Sequence, residues 1–381
     1  MSPMFGVYLH FPFCRRRCPY CDFAISIWQD VPHEAYADAV IQELHAREAE
    51  YSGRQAVSIS FGGGTPSMWR PDCIKRVIHA IQERCGVAAE ISLEANPEDL
   101  NEGTLPALYD AGVNRLSLGV QSFDAQSLVR LGRGHTPQQA REVVASAVKI
   151  FPAVSLDLIC GAPLSTRETF TQDLELAVSL GVQHLSVYGL TIESKTRYAR
   201  LEKQKKLHAA DDDEIADRLH LAQAFLQSQG FVQYEVSNYA RPGYQSVHNS
   251  LYWLGGEYLG LGCCAHSFFW KGERAARRAV AVAGASEYLR RSQARESTLR
   301  VEEFVGAEDL VCEMILSQAR HERGLSLSWF QEKLGVDLVS RGGKALQRLQ
   351  QEGKVIVEGD SLRVTSKGIF FVDDVTLALL G

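Results

Sequence analysis

The chain has 381 residues, 45% hydrophobic and 23% charged, an ordinary globular composition that excludes the disordered, collagen-like and low-complexity classes. Lys plus Arg number 40 against 46 Asp plus Glu, a net charge of −6. That balance argues against a nucleic-acid partner gripped through its phosphates. Nine cysteines in a chain long enough for two or three domains argue against a disulfide-stapled secreted scaffold.

The opening MSPMFGVYLHFPFCRRRC places its apolar stretch ahead of its arginines, the reverse of a secretory signal. No stretch approaches the ~18 consecutive apolar residues of a membrane span. The expected setting is therefore reduced and cytoplasmic, where clustered thiols hold metal. Buried strands are expected at Phe5–His10, Val57–Phe61, Glu90–Glu94, Arg115–Gly119, Val154–Ile159 and His184–Leu190. Several are nearly continuous apolar runs, as parallel strands covered on both faces are. Helical periodicity fills the intervals at Pro32–Glu50, Pro71–Cys85, Glu102–Ala111, Pro137–Ile150 and Arg167–Leu180. Successive right-handed βα units follow, and no G-x-G-x-x-G succeeds any strand, so the fold class is α/β, a partial (β/α)6 barrel.

Lys195–Ala210, with Lys203, Lys205 and Lys206, and the acidic run Asp211–Glu214 read as solvated surface. Residues 231–270 are rich in aromatics and glycine. From about Glu302, helices, a short hairpin at Lys354–Ile356 and Leu362–Thr365, and a closing helix at Ile369–Leu380 suggest a winged-helix-like unit. Its helix Gly342–Glu352 carries only Lys344 and Arg348 as cations, which favours a structural or partner-binding role over DNA. The expected division is 1–235 barrel, 236–300 barrel-closing segment and 301–381 C-terminal domain.

Barrel chemistry collects on the loops that follow the strands. Here those loops carry Cys14, Cys18 and Cys21, then Gly62-Gly63-Gly64-Thr65-Pro66, Glu94 and Gln121, with Asp157 inside the fifth strand. Chance would start the spacing C-x3-C-x2-C in about 0.005 of such chains. Zinc wants four ligands, with His10 the nearest fourth. A 4Fe-4S cluster on three thiolates keeps one iron open to bind something else. Arg15, Arg16 and Arg17 between the cysteines would favour thiolates.

The run Tyr8-x-His10-x-Pro12-Phe13-Cys14-x3-Cys18-Pro19-Tyr20-Cys21 resembles the signature of the radical S-adenosylmethionine (radical SAM) family. The resemblance implies a 4Fe-4S cluster whose open iron chelates S-adenosylmethionine, cleaved by one electron to a 5′-deoxyadenosyl radical. It also implies cofactor contacts at Tyr8, Tyr20, Gly63, Gly64, Thr65, Glu94, Gln121, Arg133 and Asp157. Some members of the family hold two S-adenosylmethionine molecules. Most of the chain resembles the oxygen-independent coproporphyrinogen III dehydrogenase group, with two departures. Phe23 stands where that group has a fourth cysteine, and thirteen residues precede Cys14 in place of a long extension.

His248-Asn249-Ser250-Leu251-Tyr252-Trp253 contains H-N-x-x-Y-W, which resembles the marker of the HemW family of haem chaperones. The implied haem contacts are His248, as an axial ligand, Asn249, and the flat rings of Tyr252 and Trp253. Cys263, Cys264 and His266 are rivals for the iron, and a packing role for the whole segment is the alternative. The expectation is a haem chaperone that serves haem-acceptor proteins, with a peripheral place at the inner membrane and a homodimer both left open. The alternative is the porphyrin enzyme itself, decarboxylating propionates by radical chemistry.

Overall fold

In the computed structural model, which describes residues 5–207 and 209–380, the six expected strands all form and lie side by side. They are β1 (Phe5–Phe11), β2 (Ser58–Gly63), β3 (Glu90–Ala95), β4 (Arg115–Gln121), β5 (Ala153–Cys160) and β6 (His184–Gly189), paired in parallel in that order. Met1–Met4 of the opening run, His208 of the connector and the C-terminal Gly381 lie outside the described residues. The intervening helices are His33–Ala46, Pro71–Cys85, Thr104–Asp110, Pro137–Ile150 and Arg167–Ser179. Their starts follow local chemistry. Thr136 and Thr166 cap the last two through their hydroxyls, and Pro71 and Pro137 sit in the first turn. The acidic run also has a local role, since Asp211 and Glu214 form a reciprocal capping box that opens helix Asp212–Ser228.

The strands are buried, yet they alternate more strictly than continuous apolar runs would. Val7, Leu9, Ile59, Phe61, Leu93, Leu116, Leu118, Val154, Leu156, Leu185 and Val187 join the core beneath the helices. The alternate positions face inward and are polar, with one serine from each of β2–β6: Ser60, Ser92, Ser117, Ser155 and Ser186. Most β/α barrels fill that space with bulky branched side chains. Here a polar chamber of about 180 Å3 remains.

The segment 236–300 contributes a strand that the sequence pattern did not reveal. β7 (Glu257–Leu261) pairs in parallel with β1 on the side away from β2. An antiparallel run, His266–Trp270, Ala276–Ala281 and Leu299–Val305, continues this edge, while Asn238–Ala240 and Val232–Gln233 extend the other beyond β6. The whole is a 12-stranded sheet.

Beyond it, helices Ala307–Gln318, Leu338–Gln351 and Val372–Leu380 surround a three-stranded sheet of Leu325–Ser326, Ser361–Val364 and Val355–Glu358. Leu310, Ile315, Phe330, Leu346, Leu362 and Val375 form a second core, which also takes in Phe268 and Ala276 of the large sheet. Of the two cations on the expected wing helix, Arg348 pairs with Glu352 at 3.5 Å. Among the described residues no helix is long and apolar enough to cross a membrane.

Candidate functional site

Every loop leaving β1–β7 emerges at one rim, because the seven strands are parallel. The loop after β1 places Cys14, Cys18 and Cys21 on one cavity of about 360 Å3. That cavity also takes in Tyr20, Gly63, Gly64, Thr65, Glu94, Gln121, Arg133 and Asp157. Tyr8 is the exception among the expected cofactor positions, since it lines the serine chamber below. Its hydroxyl is 3.1 Å from His10 Nδ1.

Cys14 is buried, with its Sγ 3.2 Å from Thr65 Oγ1. Cys18 and Cys21 are half-buried, in a turn closed by a 3.2 Å bond from Cys21 N–H to the Cys18 carbonyl. Burial pushes the Cys14 thiol up to about 11, and the neighbouring Cys21 and Cys18 add to the rise. Cys21 is raised for the same reasons. Thiols whose ionisation is opposed by burial, as at Cys14 and Cys21, suit a cationic centre, which would invert that logic. Among the described residues no three His, Cys, Asp or Glu converge closely enough for one metal ion. A four-iron cluster offers each thiolate its own iron and needs no such convergence. His10 does not supply a fourth ligand, because Nε2 is 3.0 Å from the Ala24 carbonyl and Nδ1 meets Tyr8.

The intervening arginines act mainly as ties. Arg15 Nε donates to Asp99 at 2.7 Å, Arg16 lies 4.0 Å from Glu98, and Arg17 donates to the carbonyls of Cys21, Phe23 and Ile25. The cation in contact with a thiol is Arg133, with Nη1 3.7 Å from Cys18 Sγ. Asn96 and the Gly119 carbonyl hold its other nitrogen. Asn96, just beyond the β3 strand end that drew attention to Glu94, was readable by the same rule and was missed.

In the GGGTP loop, Gly64 is required by the chain beside it. A Cβ there would stand 2.7 Å from the Pro12 and Phe13 carbonyl oxygens. Gly64→Ala should therefore cost about 1–3 kcal/mol, read as a lower urea midpoint, and should displace the cysteine loop. Gln121 ends β4 with φ 70°, beside a register shift against β5. A non-glycine residue held in that region stores strain of the kind found at ligand clamps.

Four carboxylates line the cavity, and Glu94 and Asp157 are the two on barrel strands, Glu98 and Asp99 lying on the loop beyond β3. Enclosure by the barrel walls pushes Glu94 up to about 7, with Asp157 adding to it. Enclosure pushes Asp157 up to about 6, against the hydroxyls of Ser186 and Ser117. Both carboxyls hold their protons to higher pH folded than unfolded, so folding takes up protons between about pH 4 and 7. Stability without ligand should fall as pH rises through that window. Glu94→Gln should flatten the slope of the urea midpoint against pH.

The H-N-x-x-Y-W segment lies at the opposite end of the barrel, on helix Val247–Trp253, which forms the floor of the serine chamber. Glu90 at the start of β3 accepts from the His248 N–H at 2.9 Å and the Val247 N–H at 3.1 Å. Arg115 holds Glu90 at 2.8 Å and the Tyr244 carbonyl at 2.6 Å. His248 is buried, with Nδ1 2.8 Å from Ser58 Oγ and Nε2 2.8 Å from Tyr252 OH. Burial lowers it to about 3, so the ring is neutral at physiological pH. Asn249 Nδ2 reaches the Tyr234 hydroxyl at 3.5 Å, and the buried Trp253 Nε1 has no partner. The glutamate–arginine clamp could not be read beforehand, since nothing local to β3 or β4 points to a helix and its lead-in 129 to 158 residues away.

The radical SAM superfamily model matches residues 8–177, and the HemN C-terminal domain model matches residues 305–371. The heme chaperone HemW of Bacillus subtilis is 31% identical over 382 residues, covering 99% of this chain and 100% of that protein. The heme chaperone HemW of Mycobacterium tuberculosis is 34% identical, covering 100% and 97%. The chain belongs to the HemW family of radical SAM proteins. Among solved structures, the coproporphyrinogen III oxidase HemN of Escherichia coli superposes with a TM-score of 0.82, covering 99% of this chain and 90% of that one. At 24% identity that likeness speaks for the fold alone. In this HemW-family chain, Phe23 lines the rim cavity and is 63% exposed.

Proposed function

We propose that this protein holds a 4Fe-4S cluster on Cys14, Cys18 and Cys21 and S-adenosylmethionine in the rim cavity. In this reading it binds haem through the H-N-x-x-Y-W segment and passes it to haem-requiring proteins, including those at the inner membrane face. The observation that carries the reading is a three-thiol cavity, with Phe23 rather than a fourth thiol, in a chain that aligns end to end with haem chaperones.

Bound there, the cluster would supply single electrons to the cofactor or to haem iron. Arg133 sets positive charge beside Cys18. Glu94 and Asp157 offer acceptors for an ammonium group and for ribose hydroxyls, and a cation between them would draw off their protons. Gly63 and Gly64 let the backbone approach the methionine end.

His248 can take haem iron only after Ser58 or Tyr252 releases a ring nitrogen and the floor helix turns outward. Tyr252→Phe, which frees Nε2, should speed haem uptake in stopped-flow mixing, and His248→Ala should weaken uptake at equilibrium. The deciding experiment reconstitutes the cluster anaerobically, then supplies haem to one sample and coproporphyrinogen III with reductant to another. Stoichiometric haem uptake without decarboxylated product is expected. Conversion to protoporphyrinogen would sink the chaperone reading.

A further inference from the structure

Asn96 follows β3 and has no part in the function proposed above, yet its side chain joins the surroundings of two of the three cysteines. Its backbone is pinned on both sides. The N–H donates to Ser67 Oγ at 3.2 Å, and the carbonyl accepts from the Asp99 N–H at 3.0 Å, where Pro97 opens a short turn. The side-chain amide therefore starts from a fixed point, and both of its ends are used. Nδ2 donates to Thr65 Oγ1 at 3.2 Å, and Oδ1 accepts from Arg133 Nη2.

The direction of each bond follows from the groups themselves. A guanidinium offers donors only, so the amide oxygen must face Arg133 and the nitrogen must face Thr65. The Thr65 oxygen is then an acceptor toward Asn96, which leaves its own proton for Cys14 Sγ at 3.2 Å. Arg133 is fixed by Asn96 and by the Gly119 carbonyl at 2.7 Å, which aims Nη1 at Cys18 Sγ, 3.7 Å away. One unbroken path thus runs from Cys14 through Thr65, Asn96 and Arg133 to Cys18. β4 leaves room for it, since a Cβ at Gly119 would stand 3.2 Å from Asn96 Oδ1 and 3.3 Å from Arg133 Nη2.

We propose that Asn96 is a positioning residue that sets the reduction potential of the cluster, by holding one hydroxyl on the Cys14 sulfur and one guanidinium on the Cys18 sulfur. The inference rests on the cluster reading above. An electron added to an iron–sulfur centre spreads negative charge onto its sulfurs, and donors placed there favour the reduced form. Asn96 acts on both sulfurs only through its two partners. Without it Thr65 can turn its proton away from Cys14, and Arg133 can swing toward the Glu98 carboxylate on the same cavity.

The test uses the full-length protein, reconstituted anaerobically. It reads iron, sulfide and the midpoint of a potentiometric titration followed by electron paramagnetic resonance. Asn96→Leu is similar in size and can neither donate nor accept. It should load the same iron and sulfide as the unmodified chain. At a fixed potential its ratio of reduced to oxidised cluster should fall about tenfold, a downward shift of about 59 mV for a one-electron couple. Thr65→Val should move the midpoint in the same direction, whereas Thr65→Ser, which keeps the hydroxyl, should not. Because Asn96 acts partly through Thr65, the double variant Asn96→Leu, Thr65→Val should shift by less than the sum of the single shifts. A loaded Asn96→Leu with an unchanged midpoint overturns the proposal and leaves the cluster reading standing. An unmodified chain that binds no iron overturns that reading and this inference with it. Should Asn96→Leu fail to load, the Thr65 pair decides, and equal midpoints for Thr65→Val and Thr65→Ser overturn the proposal.

Discussion

Cys18→Ala should abolish cluster loading. Anaerobic reconstitution should load the unmodified chain with about four irons and four sulfides, and the variant with almost none. The remaining two thiols could hold only part of a cluster in a cavity open to solvent, and no fourth ligand is at hand. His10 has both ring nitrogens engaged, and Phe23 offers no donor at the mouth. Cys18 is also the thiol that Arg133 touches, so its loss leaves a half-buried guanidinium without that partner. Iron and sulfide analysis checks the expectation, and a variant that keeps half its load or more would defeat the three-thiolate assignment.

Arg115→Leu should destabilise the protein by about 3–5 kcal/mol, the usual range for breaking a buried ion pair from one side. Arg115 and Glu90 are both buried and 2.8 Å apart. Without the guanidinium, the buried Glu90 loses its ionic partner and is left with the N–H groups of Val247 and His248 and the Ser246 hydroxyl. Urea denaturation should show a large fall in midpoint with an unchanged slope. Replacing both residues by methionine should restore much of the loss, because no uncompensated charge then remains. A near-neutral Arg115→Leu would mean that the floor helix is held by other contacts.

The barrel was legible because its signal is local. Phe5–Phe11 and its counterparts are short apolar runs bounded by turns, and the helices between them carry their own caps. The cysteine loop, the glycine loop, Glu94 and Asp157 were legible by the rule that barrel chemistry follows strands, and all of them line one cavity. β7 was not, since it reaches its place beside β1 only after more than 240 intervening residues, and no local periodicity encodes that pairing. The three arginines were assigned to the thiols from spacing alone. Asp99 and Glu98, which claim two of them, lie on a loop far along the chain. The direction in which His248 faces was beyond reach for the same reason, because Ser58 and Tyr252 meet it only in the folded barrel.

The serine-lined interior joins the two ends of the barrel. Glu94, Ser117, Asp157 and Tyr188 border both the rim cavity and the chamber above the floor helix. The unpartnered ring nitrogen of His184 and side-chain oxygen of Asn238 face a space that ordered water can fill. The two raised carboxyls therefore border the chamber above the floor helix as well as the rim. Lifting the Val247–Trp253 helix would flood the column and raise its local dielectric constant, and Glu94 and Asp157 would relax toward ordinary acidity. An event at the floor would then sharpen the charge presented at the rim through solvent alone, with every strand left in place.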